Sequence, residues 1–145
     1  MNTTHGPLEL HLTDAPDPRE VAAVSDDLDR FNTDVTGIAD RRPLAVLVRE
    51  PGTGRVLGGL TGRTSLGLLF VDLLHLPPQL RGKGLGSAVL RRAEDEGRAR
   101  GCEAAVLYTI SFQAPGFYER HGWRRLGEVA CRPAGASRVF MAKEL

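Results

Sequence analysis

The chain has 145 residues, of which 41% are hydrophobic and 26% charged, and its formal net charge is +1. That length supports a core of useful size, so residues 1–145 read as a single domain. The charge is nearly balanced and carries no basic run, which argues against a nucleic-acid surface, and no stretch approaches the ~20 apolar residues of a membrane span.

The first residues, MNTTHGPLELHLTDAPD, hold acidic side chains and no apolar core of signal length. Residues 8–12, LELHL, alternate apolar and polar and predict a short strand. Residues 18–31 predict a helix, with Val21, Val24, Leu28 and Phe31 at three- and four-residue spacing. Residues 32–43 are polar and read as irregular. Residues 44–49 and 56–62 predict a hairpin around a turn at 51–54. Residues 68–76 are apolar almost throughout, as expected of a central strand buried on both faces.

Residues 84–100 predict a helix with Leu85, Ala88, Val89 and Ala93 on one stripe and Gly101 as its stop. Arg91, Arg92, Glu94, Asp95 and Arg98 fall mostly off that stripe, and Arg91-Arg92, like Arg124-Arg125, read as solvated faces. Further strands are predicted at 104–109, 123–130 and 138–142, with a short helix at 114–121. Cys102 and Cys131 lack any CxxC or Cys/His spacing, so a reducing, cytoplasmic setting without a structural disulfide is expected. The order β-α-β-β-β-α-β-α-β-β predicts an α/β sandwich with a largely antiparallel sheet. The strand-helix-strand crossover at 68–109 implies one parallel pair in its middle.

The densest signal is HLPPQLRGKGLGSAVL, residues 75–90. An apolar strand runs through Pro77-Pro78 into Arg81-Gly82-Lys83-Gly84-Leu85-Gly86 and then into a helix. The first turn of a helix carries unpaired N–H groups and the positive end of the dipole, so it attracts phosphate. The glycines let backbone approach an anion, and Arg81 and Lys83 add charge. The expected ligand carries a pyrophosphate. The spacing fits neither a Walker A loop nor the dinucleotide fingerprint. An ordinary tight turn opening a helix is the bland alternative.

The spacing Arg81-x-x-Gly84-x-Gly86, preceded by L-x-P at Leu76 to Pro78, resembles the coenzyme A loop of the GNAT family of N-acetyltransferases. A second segment, Ser111-Phe-Gln113-Ala114-Pro-Gly-Phe117-Tyr118-Glu-Arg-His-Gly122-Trp123, is similar to that family's A-x-x-x-Y-x-x-x-G-aromatic pattern. Both occur in the family's order, separated by one helix and one strand. The resemblance implies the GNAT fold, a mixed and largely antiparallel sheet flanked by helices with a splayed central parallel pair.

It also implies acetyl-CoA as co-substrate, with no metal. Backbone of Leu74 and Leu76 would serve the pantetheine, with His75 between them. An N–H near Leu74 would polarise the thioester carbonyl. Pyrophosphate would sit on residues 82–87: Gly82, Lys83, Gly84, Leu85, Gly86 and Ser87. Arg81 either structures this loop or touches the ligand. Ser111 stands where the family often has a pantetheine-binding Asn. Tyr118 matches the position that protonates the departing thiolate; the alternative is a packed core ring. Asp72, the only charged side chain in residues 66–76, is the leading general base, with burial expected to raise its pKa. The alternatives are an Asp that only orients an ammonium, His75 as base, or water. Phe31 and Asn32, expected at the end of the first helix, are acceptor-contact candidates. His5, His11 and His121 have no partner at catalytic spacing and read as surface residues; Trp123 reads as core.

The expected reaction moves acetyl from acetyl-CoA to a primary amine of a small molecule. A protein N-terminus or lysine is the second choice of acceptor. A non-catalytic acyl-CoA sensor and a nucleotide-binding module are rivals from other classes. No nucleic-acid or membrane partner is expected, and a homodimer is possible within the family.

Overall fold

The computed structural model describes residues 2–145. Backbone contacts divide the chain into two compact units, the first ending at Ala39 and the second spanning Asp40–Leu145. In the first, β1 (Asn2–His5) pairs antiparallel with β2 (Leu8–His11). Only β2 alternates apolar and polar residues, so β1, all polar, gives no periodic signal. α1 (Pro18–Thr36) opens on Asp17, whose carboxylate accepts from the Arg19 N–H at 2.8 Å, with Pro18 in the first turn. It ends at Gly37, in the left-handed conformation, which donates to Thr33 O at 2.7 Å. The helix therefore passes Phe31 and Asn32, which lie inside it rather than at its end. The polar residues 32–34 read as loop because they are weak helix formers, while Val35 in fact continues the apolar spacing.

The second unit is a six-stranded sheet in the order β3-β4-β5-β6-β8-β7. Its strands are β3 (Arg42–Arg49), β4 (Val56–Ser65), β5 (Leu68–His75), β6 (Ala104–Ile110), β7 (Arg124–Ala130) and β8 (Ser137–Glu144). All neighbours pair antiparallel except β5 and β6, the one parallel pair, joined through α2 (Leu85–Ala99). α3 (Pro115–Arg120) lies between β6 and β7 in the chain. The fold class expected from the sequence is the one observed, with every predicted element of this unit present.

Leu60, Leu69, Leu90, Val139 and Met141 are fully buried and fix the core between the sheet and α2. Burying side chains of this size contributes about 1.5–3 kcal/mol each. α2 turns Val89, Leu90 and Ala93 inward, and it also buries Glu94, which the sequence placed mostly off the apolar stripe. Glu94 is held by Lys143 Nζ at 2.6 Å and by Trp123 Nε1–H at 3.2 Å, joining α2 to β8 and to the turn after α3. A buried carboxylate needs such partners, because it is costly to desolvate unpaired.

Two features shape the middle of the sheet. Parallel pairing of β5 with β6 covers only Leu68–Ala104, Leu69–Ala105 and Phe70–Val106, after which the strands part. In β4–β5 pairing, Thr61 faces Leu73 and Gly62 faces Val71, so Asp72 is the extra residue of a bulge. Gly62 permits this: a Cβ there would meet Phe70 O at 2.1 Å. β5 is thus not buried on both faces, since Asp72, Leu73 and His75 are exposed. No helix among the described residues is long and apolar enough to cross a membrane.

Candidate active site

Where β5 and β6 part, residues 71–75 of one strand and 107–110 of the other have no cross-strand pairs with each other. A cavity of about 930 Å³ opens there. It is lined on the β5 side by Asp72, Leu74, His75 and Leu76, on the β6 side by residues 107–110, and at one end by the glycine loop. α3 closes it with Phe117 and Tyr118.

The loop leaves β5 through a 3-10 turn at Pro78–Leu80 and enters α2 at Gly84, the N-cap. Gly84 has a φ of +78° and no side chain caps the helix, so the N–H groups of its first turn remain open to an anion. Gly82 has a φ of +79°, and a Cβ on either glycine would meet no protein atom within 4 Å. This bare, left-handed backbone beside a helix N-terminus fits a pyrophosphate. Gly86 acts differently. Its Cβ position lies 3.5 Å from the Phe117 ring, so it allows α2 to pack closely on α3.

Of the residues expected to hold the cofactor, Leu74, His75, Leu76, Arg81, Gly82, Gly84, Gly86 and Ser87 line the cavity. Three do not. Lys83 is exposed beside it, Leu85 packs against the core, and Ser111 is engaged with β8. The Ser111 hydroxyl oxygen accepts from Ser137 N–H at 3.0 Å and so extends the β6–β8 ladder. The Leu76 carbonyl accepts from Arg81 Nε at 2.8 Å. Arg81 thereby clamps the loop back onto the end of β5.

Tyr118 is only 7% exposed, and burial pushes its phenol up to about 12. Its ring packs edge-on against Phe117 and Trp123. Among the described residues no protein group hydrogen-bonds its hydroxyl, yet it is not a buried unsatisfied group; the oxygen therefore faces the open cavity. A protonated phenol aimed into a cavity is a ready donor.

Asp72 is not buried, contrary to expectation. Its side chain is 52% exposed and its Oδ1 accepts from Arg63 Nη1 at 3.0 Å. The bulge leaves it exposed, and it lines the cavity, as does the exposed His75.

Sequence reasoning missed three groups. Gln113 accepts from Ile110 N–H at 3.0 Å and from Thr109 Oγ1 at 3.1 Å, which ends β6 at the cavity wall. Tyr108 and Arg138 also line the cavity, with the Arg138 guanidinium 5.9 Å from the Tyr108 ring centre. Alternation along β6 and β8 places these two on one face, but only the pairing register brings them together. His121, read as a surface residue, bonds Ser87 of the glycine loop.

The model of the acetyltransferase (GNAT) family matches residues 8–123. Acetyltransferase Atu2258 of Agrobacterium fabrum is 35% identical over 132 residues, covering 91% of this chain and 96% of its own. Blasticidin-S acetyltransferase of Streptomyces morookaense is 38% identical over 113 residues, covering 76% and 83%. A crystal structure from Agrobacterium tumefaciens assigned as an acetyltransferase superposes with a TM-score of 0.84 at 33% identity, over 95% of this chain and all of that one. An acetyltransferase from Bacillus cereus superposes with a TM-score of 0.73 at 28% identity, covering 93% and 98%. GNAT acetyltransferases use acetyl-CoA as co-substrate, and the parted strands and bare helix N-terminus have the chemistry to receive it. This chain belongs to the acetyltransferase (GNAT) family and is an acyltransferase enzyme.

Proposed function

We propose that the chain, acting as one domain, transfers acetyl from acetyl-CoA to a primary amine of a small molecule within a ternary complex. The observation that carries this reading is the gap between β5 and β6, which leads from the N-terminus of α2 to the Tyr118 hydroxyl. Unpaired backbone groups along a strand are costly unless a ligand satisfies them, and pantetheine amides can. The N–H groups of residues 82–87 take the pyrophosphate. A backbone N–H at Leu74 polarises the thioester carbonyl. Tyr118 donates to the leaving sulfur.

Asp72 receives the acceptor's ammonium at the cavity mouth and takes its proton, directly or through water. Its ion pair with Arg63 fixes the carboxylate's direction. His75 is the alternative base. Phe31 and Asn32 of α1 remain proposed acceptor contacts on the family resemblance. A small-molecule acceptor is favoured over a protein because a relative at 38% identity is a blasticidin-S acetyltransferase. We place the reaction in the cytoplasm, where the free Cys102 and Cys131 stay reduced.

The test is thiol release from acetyl-CoA against a panel of small amines and N-terminal or lysine peptides. Amine-dependent release with a small amine supports the reading. Release with peptides alone moves the acceptor to protein. Tight acetyl-CoA binding without release by any amine makes the chain a sensor.

A further inference from the structure

His121 ends α3, and both its ring nitrogens are occupied. Nδ1 lies 2.8 Å from the Phe117 carbonyl, and Nε2 lies 2.8 Å from Ser87 Oγ. A carbonyl only accepts, so Nδ1 carries a proton. In the neutral ring Nε2 is therefore an acceptor, and the Ser87 hydroxyl spends its proton on it. Ser87 stands in the first turn of α2 and lines the cavity at the glycine loop. With its proton turned toward His121, it offers only lone pairs to an incoming anion.

Protonation of the ring reverses this bond. Nε2–H then donates to Ser87 Oγ, and the hydroxyl proton is free to point at the phosphate. The same event adds a positive charge behind the loop. The packed elements leave both states of the ring feasible, since neither nitrogen touches a carboxylate. On β8, Lys143 Nζ donates to the His121 backbone carbonyl at 2.7 Å and is ion-paired with Glu94 of α2. Arg98 lies 3.8 Å from the same carboxylate. Arg91, one turn beyond Ser87 on α2, and Arg120, the last residue of α3, are exposed cations. Glu119 is paired with Arg125 of β7.

We propose that His121 is a positioning residue that couples proton uptake to pyrophosphate binding, by switching the Ser87 hydroxyl from a donor toward the ring to a donor toward the ligand. This rests on the reading that residues 82–87 hold the pyrophosphate. Linkage is reciprocal: a ligand that binds better to the protonated ring also favours protonation of that ring.

The probe is dephospho-CoA, which keeps the pyrophosphate but lacks the 3′-phosphate that itself titrates near neutrality. Its dissociation constant is measured by calorimetry from about pH 5.5 to about pH 8.5, and His121 is followed by NMR with and without it. The expected result is affinity about tenfold tighter at the acid end, with the His121 midpoint moved upward in the complex. In His121→Gln, which keeps an amide hydrogen bond to Ser87 but cannot titrate, the pH slope vanishes. Gly84→Val separates the two readings. If it leaves dephospho-CoA affinity unchanged, the loop is not the pyrophosphate site and the inference falls with that reading. If it weakens binding while His121→Gln keeps the wild-type slope, or the His121 midpoint does not move, the inference alone is overturned.

Discussion

Replacing Tyr118 with Phe removes one hydroxyl and keeps a ring wedged between Phe117 and Trp123. Because that hydroxyl has no protein partner among the described residues, its loss leaves no orphaned group, and stability should change little. The kinetic effect is set by how well the phenol assists a departing thiolate. A thiol titrates near ~8.5 and the Tyr118 phenol at about 12, so complete proton transfer in the free protein's environment would run uphill by roughly 5 kcal/mol. The phenol therefore acts mainly as a hydrogen-bond donor while charge builds on sulfur. That sets the loss of kcat at the low end of general-acid effects, about 10- to 100-fold, or about 1.4–2.7 kcal/mol. The acetyl-CoA KM should hardly move, because the interaction strengthens in the transition state. Burial also keeps the phenol protonated well past neutrality, so the wild-type to mutant ratio should stay constant from about pH 6 to about pH 10. Steady-state thiol release across that range is the assay. Normal kcat with a raised KM would make Tyr118 a packing or binding residue and refute the donor role.

Gly84→Val introduces a β-branched side chain at a φ of +78°, and acetyl-CoA affinity by calorimetry should fall by at least an order of magnitude with the circular dichroism spectrum retained. Asp72→Asn keeps the shape at the cavity mouth and should cost kcat about 10²-fold; wild-type kcat at all pH values would pass the base to His75 or water. Gly62→Ala forces a Cβ to within 2.1 Å of Phe70 O, so the bulge must shift. Urea unfolding should report a loss of about 1–3 kcal/mol, and kcat should drop with it because Asp72 is re-aimed. Lys143→Met strips Glu94, whose side chain is 5% exposed, of its closest cation and should cost about 3–5 kcal/mol in urea. A loss under about 1 kcal/mol would mean that Arg98 or water replaces it.

The elements of the second unit were legible because each combines a clear period with a clear stop. α2 has its apolar stripe and Gly101, and β5 has a run that is apolar but for Asp72 and His75. The bare, left-handed backbone of the glycine loop was legible because it is written directly in Gly82 and Gly84. Long-range pairing was not legible. Nothing local says that Glu94 turns inward, because the reason is Lys143, far along the chain on β8. Asp72 was expected to be buried because its strand is apolar, but the bulge that exposes it is set by Gly62 on the neighbouring strand. Ser111 matched a cofactor-binding position in sequence, while register gave its oxygen to Ser137. His121 looked solitary because its partner sits on α2, on the far side of β6 in the chain.

Hydrogen exchange of the protein with and without acetyl-CoA tests the placement of the co-substrate most directly. Within residues 71–75 and 107–110, the amides that point into the gap rather than to β4, β8 or Gln113 should exchange fast in the free protein and slow in the complex, together with the open N–H groups of residues 82–87. β7 and the outer edge of β3 should be unchanged. Protection confined to any other part of the sheet, or none in the gap at saturating acetyl-CoA, would contradict the site described here.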